Sequence, residues 1–403
     1  MTLRFFAAMA LACLLEAQRQ PVEQAWDLLA KGERLQAIRL LEKTIQDNPR
    51  QADARLLLGS VLMEEGRREE SIAQLREAVR LRPNSAEAHN ALGEAYNAFD
   101  DPKSARASFE KSVELDPKLA VARVNFGMVL LHAGEMDTAA MHLDRAIALL
   151  GHSGDAAYPL YLRAKIYTER GQVEKASRAL TEAVSLQADF SEAWSDLGNA
   201  RKTMLDDAGA LAAFKRAVEI SPGDAVAQAR LGTQYLSAGQ AHAAVAPFQE
   251  AVRLSPSDQA SLNGLQRALR EDGQEQQADE VKRKLAELLR AKDKSDQNSL
   301  IAVRLNNEGA ALEKAGSLRE AVEKYQQASE LDPEHNGIRM NLAVALLRLG
   351  HWKEGLALLR DAAKREPANA VLKAALDDAL AQAPAEFGGQ GKSRTPPKPE
   401  TKD

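Results

Sequence analysis

The sequence predicts an all-α solenoid, a line of antiparallel helix pairs. Three observations predict it. Turn-forming residues recur every 34 positions: Pro49, Pro83 and Pro117, then Pro222 and Pro256, then Pro333 and Pro367, while Gly59, Gly93 and Gly127 keep the same interval. Between these marks, small and apolar residues fall at i, i+3, i+4 and i+7, the spacing of one helix face. Aromatics are only 4% of the 403 residues although hydrophobic residues make up 45%. A core built so largely from alanine and leucine suits helices that lie close together. Such a chain grows by adding units, so its length sets the number of units and not of globular domains.

Residues 1–17 read as a signal segment. Arg4 precedes the apolar run from Phe5 to Leu15, which suits a signal core and is short of the ~20 residues needed to span a bilayer. Cleavage is expected after Leu15-Glu16-Ala17. Cleavage after Ala10-Leu11-Ala12 would instead leave Cys13 first and open to lipidation. This reading places the protein in the periplasm or outside the cell. The alternative keeps the segment as an apolar helix over the first repeat, with the protein in the cytoplasm. No other run is long enough for a transmembrane helix.

Eight repeats fill residues 18–290. The first has Ala25 where glycine usually sits, then Gly32, Ala37, Leu41 and Pro49. The second carries Leu58-Gly59, Leu62, Gly66, Leu75, Ala78 and Pro83. In the fourth, Gly151 replaces the closing proline and three extra residues follow near His152-Ser153-Gly154, which predicts a longer loop. The eighth degenerates: Lys282 stands at the aromatic position and Arg290 at the proline position. Its second helix is expected to break near Asp293 to Asn298, making residues 291–301 a junction or hinge. Repeats nine and ten occupy 302–367. Residues 368–383, with Val371, Leu372, Leu376 and Leu380 at helical spacing, form a capping helix that covers the last apolar face. Residues 384–403 read as a disordered tail from their Pro, Gly and Lys content.

Several chemistries are excluded. With 53 basic against 58 acidic residues and a net charge of -5, the chain lacks the basic excess of a nucleic-acid binder. A single cysteine allows no disulfide or thiolate metal site in the folded body. The histidines are scattered, His132 and His142 falling on different helices, so no metal centre and no cofactor is expected. Gly391-Lys392-Ser393 lacks the earlier glycine of a phosphate loop, because Glu386 stands there. Lys282, Arg283, Lys284, Arg290, Lys292 and Lys294 are interrupted by Glu280, Glu287 and Asp293, the pattern of a salt-laced exposed helix. Nothing here reads as an enzyme.

Two units show the repeat best: Leu92-Gly93, Tyr96, Ala105, Phe109 and Pro117, and Trp194, Leu197-Gly198, Ala210, Phe214, Ala217 and Pro222. They resemble the tetratricopeptide repeat, whose skeleton is W-x2-L-G-x2-Y, then A-x3-F, then P. The resemblance covers about ten repeats. It implies a right-handed superhelix whose first helices line the inner surface and whose groove binds peptides or partner proteins. Glycine on the first helix and alanine on the second should let the axes approach, the aromatic filling space where they diverge.

Function is then expected at first-helix positions 2, 5, 6, 9, 12 and 13. These include Asn90, Glu94 and Asn97, then Asn125, Met128 and His132, then Tyr158, Tyr161 and Lys165, then Glu192, Asn199 and Lys202. Further along come Arg267, Arg270, Asn306, Asn307, Asn341 and Arg348. Amides there can bond a peptide backbone, and Tyr and Met supply apolar contact. Three narrower readings follow from relatives. A co-chaperone clamp for a C-terminal carboxylate would use Asn125 but meets Asn90 and Glu94 where lysine and asparagine are wanted. An asparagine ladder like that of the O-linked N-acetylglucosamine transferases would have rungs at Asn125, Asn307 and Asn341, without a sugar-transfer domain. The third is a subunit of an envelope polysaccharide-export or outer-membrane assembly system.

Overall fold

The computed structural model describes residues 20–367, 369–384 and 387. The segment expected to be a signal, with Cys13, and nearly all of the expected tail lie outside the described residues. Those described form twenty α-helices and one 3-10 turn, with no strand. They divide into two compact units that meet in sequence at Gln274 and Glu275.

In the first unit the helices pair in chain order: α1 (20–30) with α2 (Arg34–Asp47), α3 (Ala52–Glu64) with α4 (Arg68–Leu81), α5 (Ala86–Ala98) with α6 (Pro102–Leu115), and α7 (Ala120–His132) with α8 (Met136–Leu150). The 3-10 turn Gly154–Ala156 follows, in the longer loop that the extra residues predicted. Then come α9 (Ala157–Glu169) with α10 (Val173–Leu186), α11 (Ser191–Thr203) with α12 (Asp207–Ile220), α13 (Ala225–Ser237) with α14 (Ala241–Leu254), and finally α15 (Gln259–Glu271). Several first helices also touch the first helix of the following repeat: α3 on α5, α5 on α7, α7 on α9 and α13 on α15.

A glycine in the left-handed region reverses the chain inside most repeats. At Gly66, φ is 71°; its N–H bonds the Met63 carbonyl at 3.0 Å and the Arg67 N–H bonds that of Leu62 at 2.9 Å. This double bond satisfies carbonyls the helix end would leave open. Serines and aspartates then start several helices. The Ser85 Oγ accepts from the Ala88 N–H at 3.1 Å, and Asp258 accepts from the Ser261 N–H at 2.8 Å.

The packing corrects one expectation. The aromatic does not fill a distant gap; it lies directly on the glycine. A Cβ built on Gly93 would stand 2.7 Å from the Phe109 ring, and one on Gly198 2.5 Å from Phe214. Phe109 and Phe214 are fully buried, so glycine is the space the ring occupies. Alanine faces complete the core: Ala105, Ala139, Ala176, Ala210 and Ala244 expose nothing.

The second unit begins with α16 (Glu275–Lys314), a single helix of 40 residues. It is followed by α17 (Leu318–Leu331), α18 (Asn336–Arg348), α19 (Trp352–Arg365) and α20 (Ala370–Gln382), each packed on its predecessor. The expected break near Asp293 to Asn298 does not occur, so residues 291–301 are helix and not a hinge. Neither glycine nor proline lies between Gly273 and Gly309. Polar residues such as Asp and Asn cost a helix only ~0.5–0.7 kcal/mol each, too little to stop it. The α20 helix buries Leu372 and Ala379.

Candidate functional site

The first-helix face of the first unit carries a polar cluster beside an aromatic one. At the polar end, the Asn125 amide donates to Asn90 Oδ1 at 3.0 Å and to Glu94 Oε1 at 2.9 Å, and Asn90 donates to the same Glu94 oxygen at 2.9 Å. The rung therefore joins α5 to α7. A ligand carboxylate placed here would face the charge of Glu94, which argues against the carboxylate clamp.

Next to it, Tyr158 on α9 donates to the Met128 sulfur on α7 at 3.5 Å. Its ring stacks on Tyr161 at 6.3 Å, and Phe190 joins them, 4.9 Å from Tyr161 and 6.4 Å from Tyr158. Tyr158 remains 42% exposed, so the cluster presents a wall and not a sealed core. Burial pushes both phenols above the ordinary tyrosine value, and Asp196 adds to the effect at Tyr161. Lys165 donates to the Tyr161 hydroxyl at 3.3 Å and sits 5.1 Å from its ring centre. Burial opposes its charge, but the Tyr161 bond and Asp196 outweigh burial and hold the ammonium above the usual lysine value.

Three clefts line this face. One of about 570 Å³ lies among Val121, Asn125, Leu150, Tyr158, Pro159 and Leu186. Another of about 260 Å³ has Leu180 and Ala200 beneath Lys165, Thr168, Asp196 and Asn199. A third of about 410 Å³ is lined by Lys202, Val226, Arg230 and Thr233. Each cleft is lined by more apolar than polar surface, with amide, hydroxyl, ammonium and carboxylate groups among the lining residues, the composition of a small-ligand or peptide site.

The cross-helix contacts follow one rule the sequence reading missed. Asn90 meets Asn125, Ser195 accepts from Arg230 at 2.6 Å, and Asn306 accepts from Asn341 at 2.9 Å. Each joins position 5 of one repeat to position 6 of the next, 35 residues on. The ladder expected at Asn125, Asn307 and Asn341 is thereby corrected: Asn306 takes the rung, and Asn307 is exposed beside it.

The remaining candidates divide. Asn97 and Asn199 are half-buried, while His132, Glu192 and Lys202 are exposed. Arg267 pairs with Glu271 at 2.6 Å along its own helix, and exposed Arg270 lies one turn further on. In the second unit Arg348 pairs with Glu313, which also accepts from the buried Tyr325 hydroxyl at 2.9 Å. Burial, then that bond, pushes the Tyr325 phenol up to about 12. His142 packs edge-on against Phe126 at 4.7 Å; burial and then Arg123 lower its pKa. The basic residues 282–294 are exposed on α16, yet none forms an ion pair within 4 Å among the described residues, so that stretch is solvated and the ion pairs of α16 fall further along, at Glu308 and Glu313. Missed altogether were Phe190, just before its repeat, and Val121 and Val226, which are 48% and 57% exposed at the position Tyr158 occupies. Exposed apolar residues recurring at one repeat position were the available signal.

Models of the tetratricopeptide repeat match residues 59–98, 86–119, 161–225 and 312–384. The chain belongs to the tetratricopeptide repeat family. No curated protein sequence matches it. Among solved structures of tetratricopeptide repeat proteins and similar folds, it resembles PilF of Pseudomonas aeruginosa at 17% identity, over 53% of this chain and 95% of that one, with a TM-score of 0.49. A tetratricopeptide repeat protein of Parabacteroides merdae is 15% identical over 63% and 99%, with a TM-score of 0.47. YrrB, described as a tetratricopeptide repeat protein with an unusual peptide-binding site, is 21% identical over 47% and 96%, with a TM-score of 0.40. Among the described residues of this tetratricopeptide repeat protein, no cluster of three or more His, Cys, Asp or Glu could hold a metal, and no helix is long and apolar enough to cross a membrane.

Proposed function

We propose that this tetratricopeptide repeat protein is a non-enzymatic scaffold, exported to the periplasm or cell exterior, that binds an extended segment of a partner protein along its first helices. The observation that carries the reading is the cluster of exposed Tyr158 with half-buried Met128, Tyr161 and Phe190, set beside polar rungs and three clefts. Tyrosine offers large contact area at low entropic cost, and the rung amides fix a backbone without demanding a side-chain sequence. Export is supported by Arg4 and the apolar run after it.

Peptides selected from a random displayed library on the full chain, then titrated against Tyr158→Glu, test the binding. At least a ten-fold loss is expected at an unchanged melting temperature; unchanged affinity would move the guest elsewhere. Sequencing the mature N-terminus after expression of the whole gene tests export. An intact Met1 on a cytoplasmic product would sink that half.

A further inference from the structure

We propose that the cleft between α7 and α9 is the anchor subsite of the groove, and that it takes a large apolar side chain of the guest flanked along the peptide by lysine or arginine. This rests on the peptide-binding reading and adds the chemistry of the guest at one place. An insertion sets this cleft apart. The first helices α3, α5 and α7 start 34 residues apart, at Ala52, Ala86 and Ala120, and α11, α13 and α15 keep that interval from Ser191. Between α7 and α9 the interval is 37, and the 3-10 turn Gly154–Ala156 takes up the added length, touching α8, α9 and α10. Gly154 and Asp155 of that turn line the cleft with Val124, Leu150, Pro159 and Leu186. Val121 and Tyr158, also in the lining, are both exposed, so apolar surface remains open to a guest.

The unmatched charges at this cleft are acidic. Asp155 is the one charged residue in its lining among the described residues. It is exposed and has no lysine or arginine within 4 Å among them. Asn125, on the same lining, leads to Glu94. Its amide uses both hydrogens on Asn90 and Glu94 Oε1, which leaves its own oxygen as an acceptor. Glu94 is half-buried, its Oε2 carries no bond, and it too has no cation within 4 Å among the described residues. What Asn125 and Glu94 still offer is acceptor oxygen and negative charge, which suits an ammonium or guanidinium.

The bases of the region are absent from the groove or engaged. Groove positions of α3, α5 and α7 carry no lysine or arginine. Lys165 of α9 bonds the Tyr161 hydroxyl at 3.3 Å and lines the next cleft with Asp196. The turn ahead of α7 is balanced, holding Asp116 and Lys118. Burial of the apolar side chain then supplies most of the affinity, and the carboxylates choose among guests.

Calorimetric titration of the full chain with a series of synthetic peptides tests it. Three carry a central phenylalanine flanked by lysines, by glutamines or by glutamates, and a fourth has alanine between lysines. At low salt the lysine-flanked phenylalanine peptide should bind about three-fold tighter than the glutamine one and about ten-fold tighter than the glutamate one, a preference that fades as salt is added. Central alanine should lose about ten-fold or more. Glu94→Gln combined with Asp155→Asn should bring the lysine- and glutamine-flanked peptides within about two-fold of each other, the glutamine peptide reporting that the groove is still folded. Equal binding by lysine- and glutamate-flanked peptides, or a lysine preference that survives the double substitution, would overturn the assignment and leave the groove standing. Affinity indifferent to the central phenylalanine would overturn the cleft as anchor. Failure of every peptide, those selected from the displayed library included, would overturn the groove itself.

Discussion

The first unit turns back on itself at every half-repeat, whereas α16 in the second runs unbroken for 40 residues. The polarity of the sequence does not explain the difference. Asp293 to Asn298 is as polar as any turn in the chain and stays helical, while the chain reverses at Leu205, an 87% exposed leucine with φ of 61°. At Leu205 the bonds are those of the glycine turns: Leu205 N–H to Lys202 at 3.0 Å and Asp206 N–H to Arg201 at 2.9 Å. Asp206 then caps α12 by accepting from the Gly209 N–H at 2.9 Å. A reversal forms where the next helix must return onto the buried face of the last, and a left-handed residue is found to serve it. Where no such packing is demanded, weak helix formers continue the helix.

The sharpest way to break this comparison is to impose a stop on α16. Asp296→Pro removes an interior backbone bond and should cost about 3 kcal/mol or more, read as a fall in helicity and in denaturation midpoint. A neutral result would mean the helix is already interrupted there. The next test asks whether close approach drives the reversals. Gly93→Leu drives a side chain into Phe109 and should destabilise by about 1–3 kcal/mol, whereas Gly66→Ala meets open space and costs only its left-handed backbone. Equal losses at the two sites would show that ring packing on glycine matters no more than turn geometry. The smallest effect should be a gain: Leu205→Gly relieves left-handed strain and stabilises by about 1 kcal/mol, measured by thermal melting. A loss instead would show that the exposed leucine makes contacts that outweigh the strain.

The same contrast marks what could be read from residues. The turn glycines, the alanine faces and the paired helices of repeats two to seven were legible, since each reports a local period or a local conformation. Tyr158, Tyr161 and Met128 were legible as surface residues, and the structure joins them. The rung was only half legible. Asn306 and Asn307 are adjacent in sequence, and which of them meets Asn341 depends on the offset between two helices 35 residues apart.

By itself the sequence determined that the chain is a succession of two-helix units, because periodicity and turn residues act within a few positions. The tertiary structure alone decided that Phe109 rests on Gly93, that position 5 meets position 6, and that α16 never breaks. Those outcomes depend on the rotation and slide of one helix against its neighbour, and no single helix encodes them.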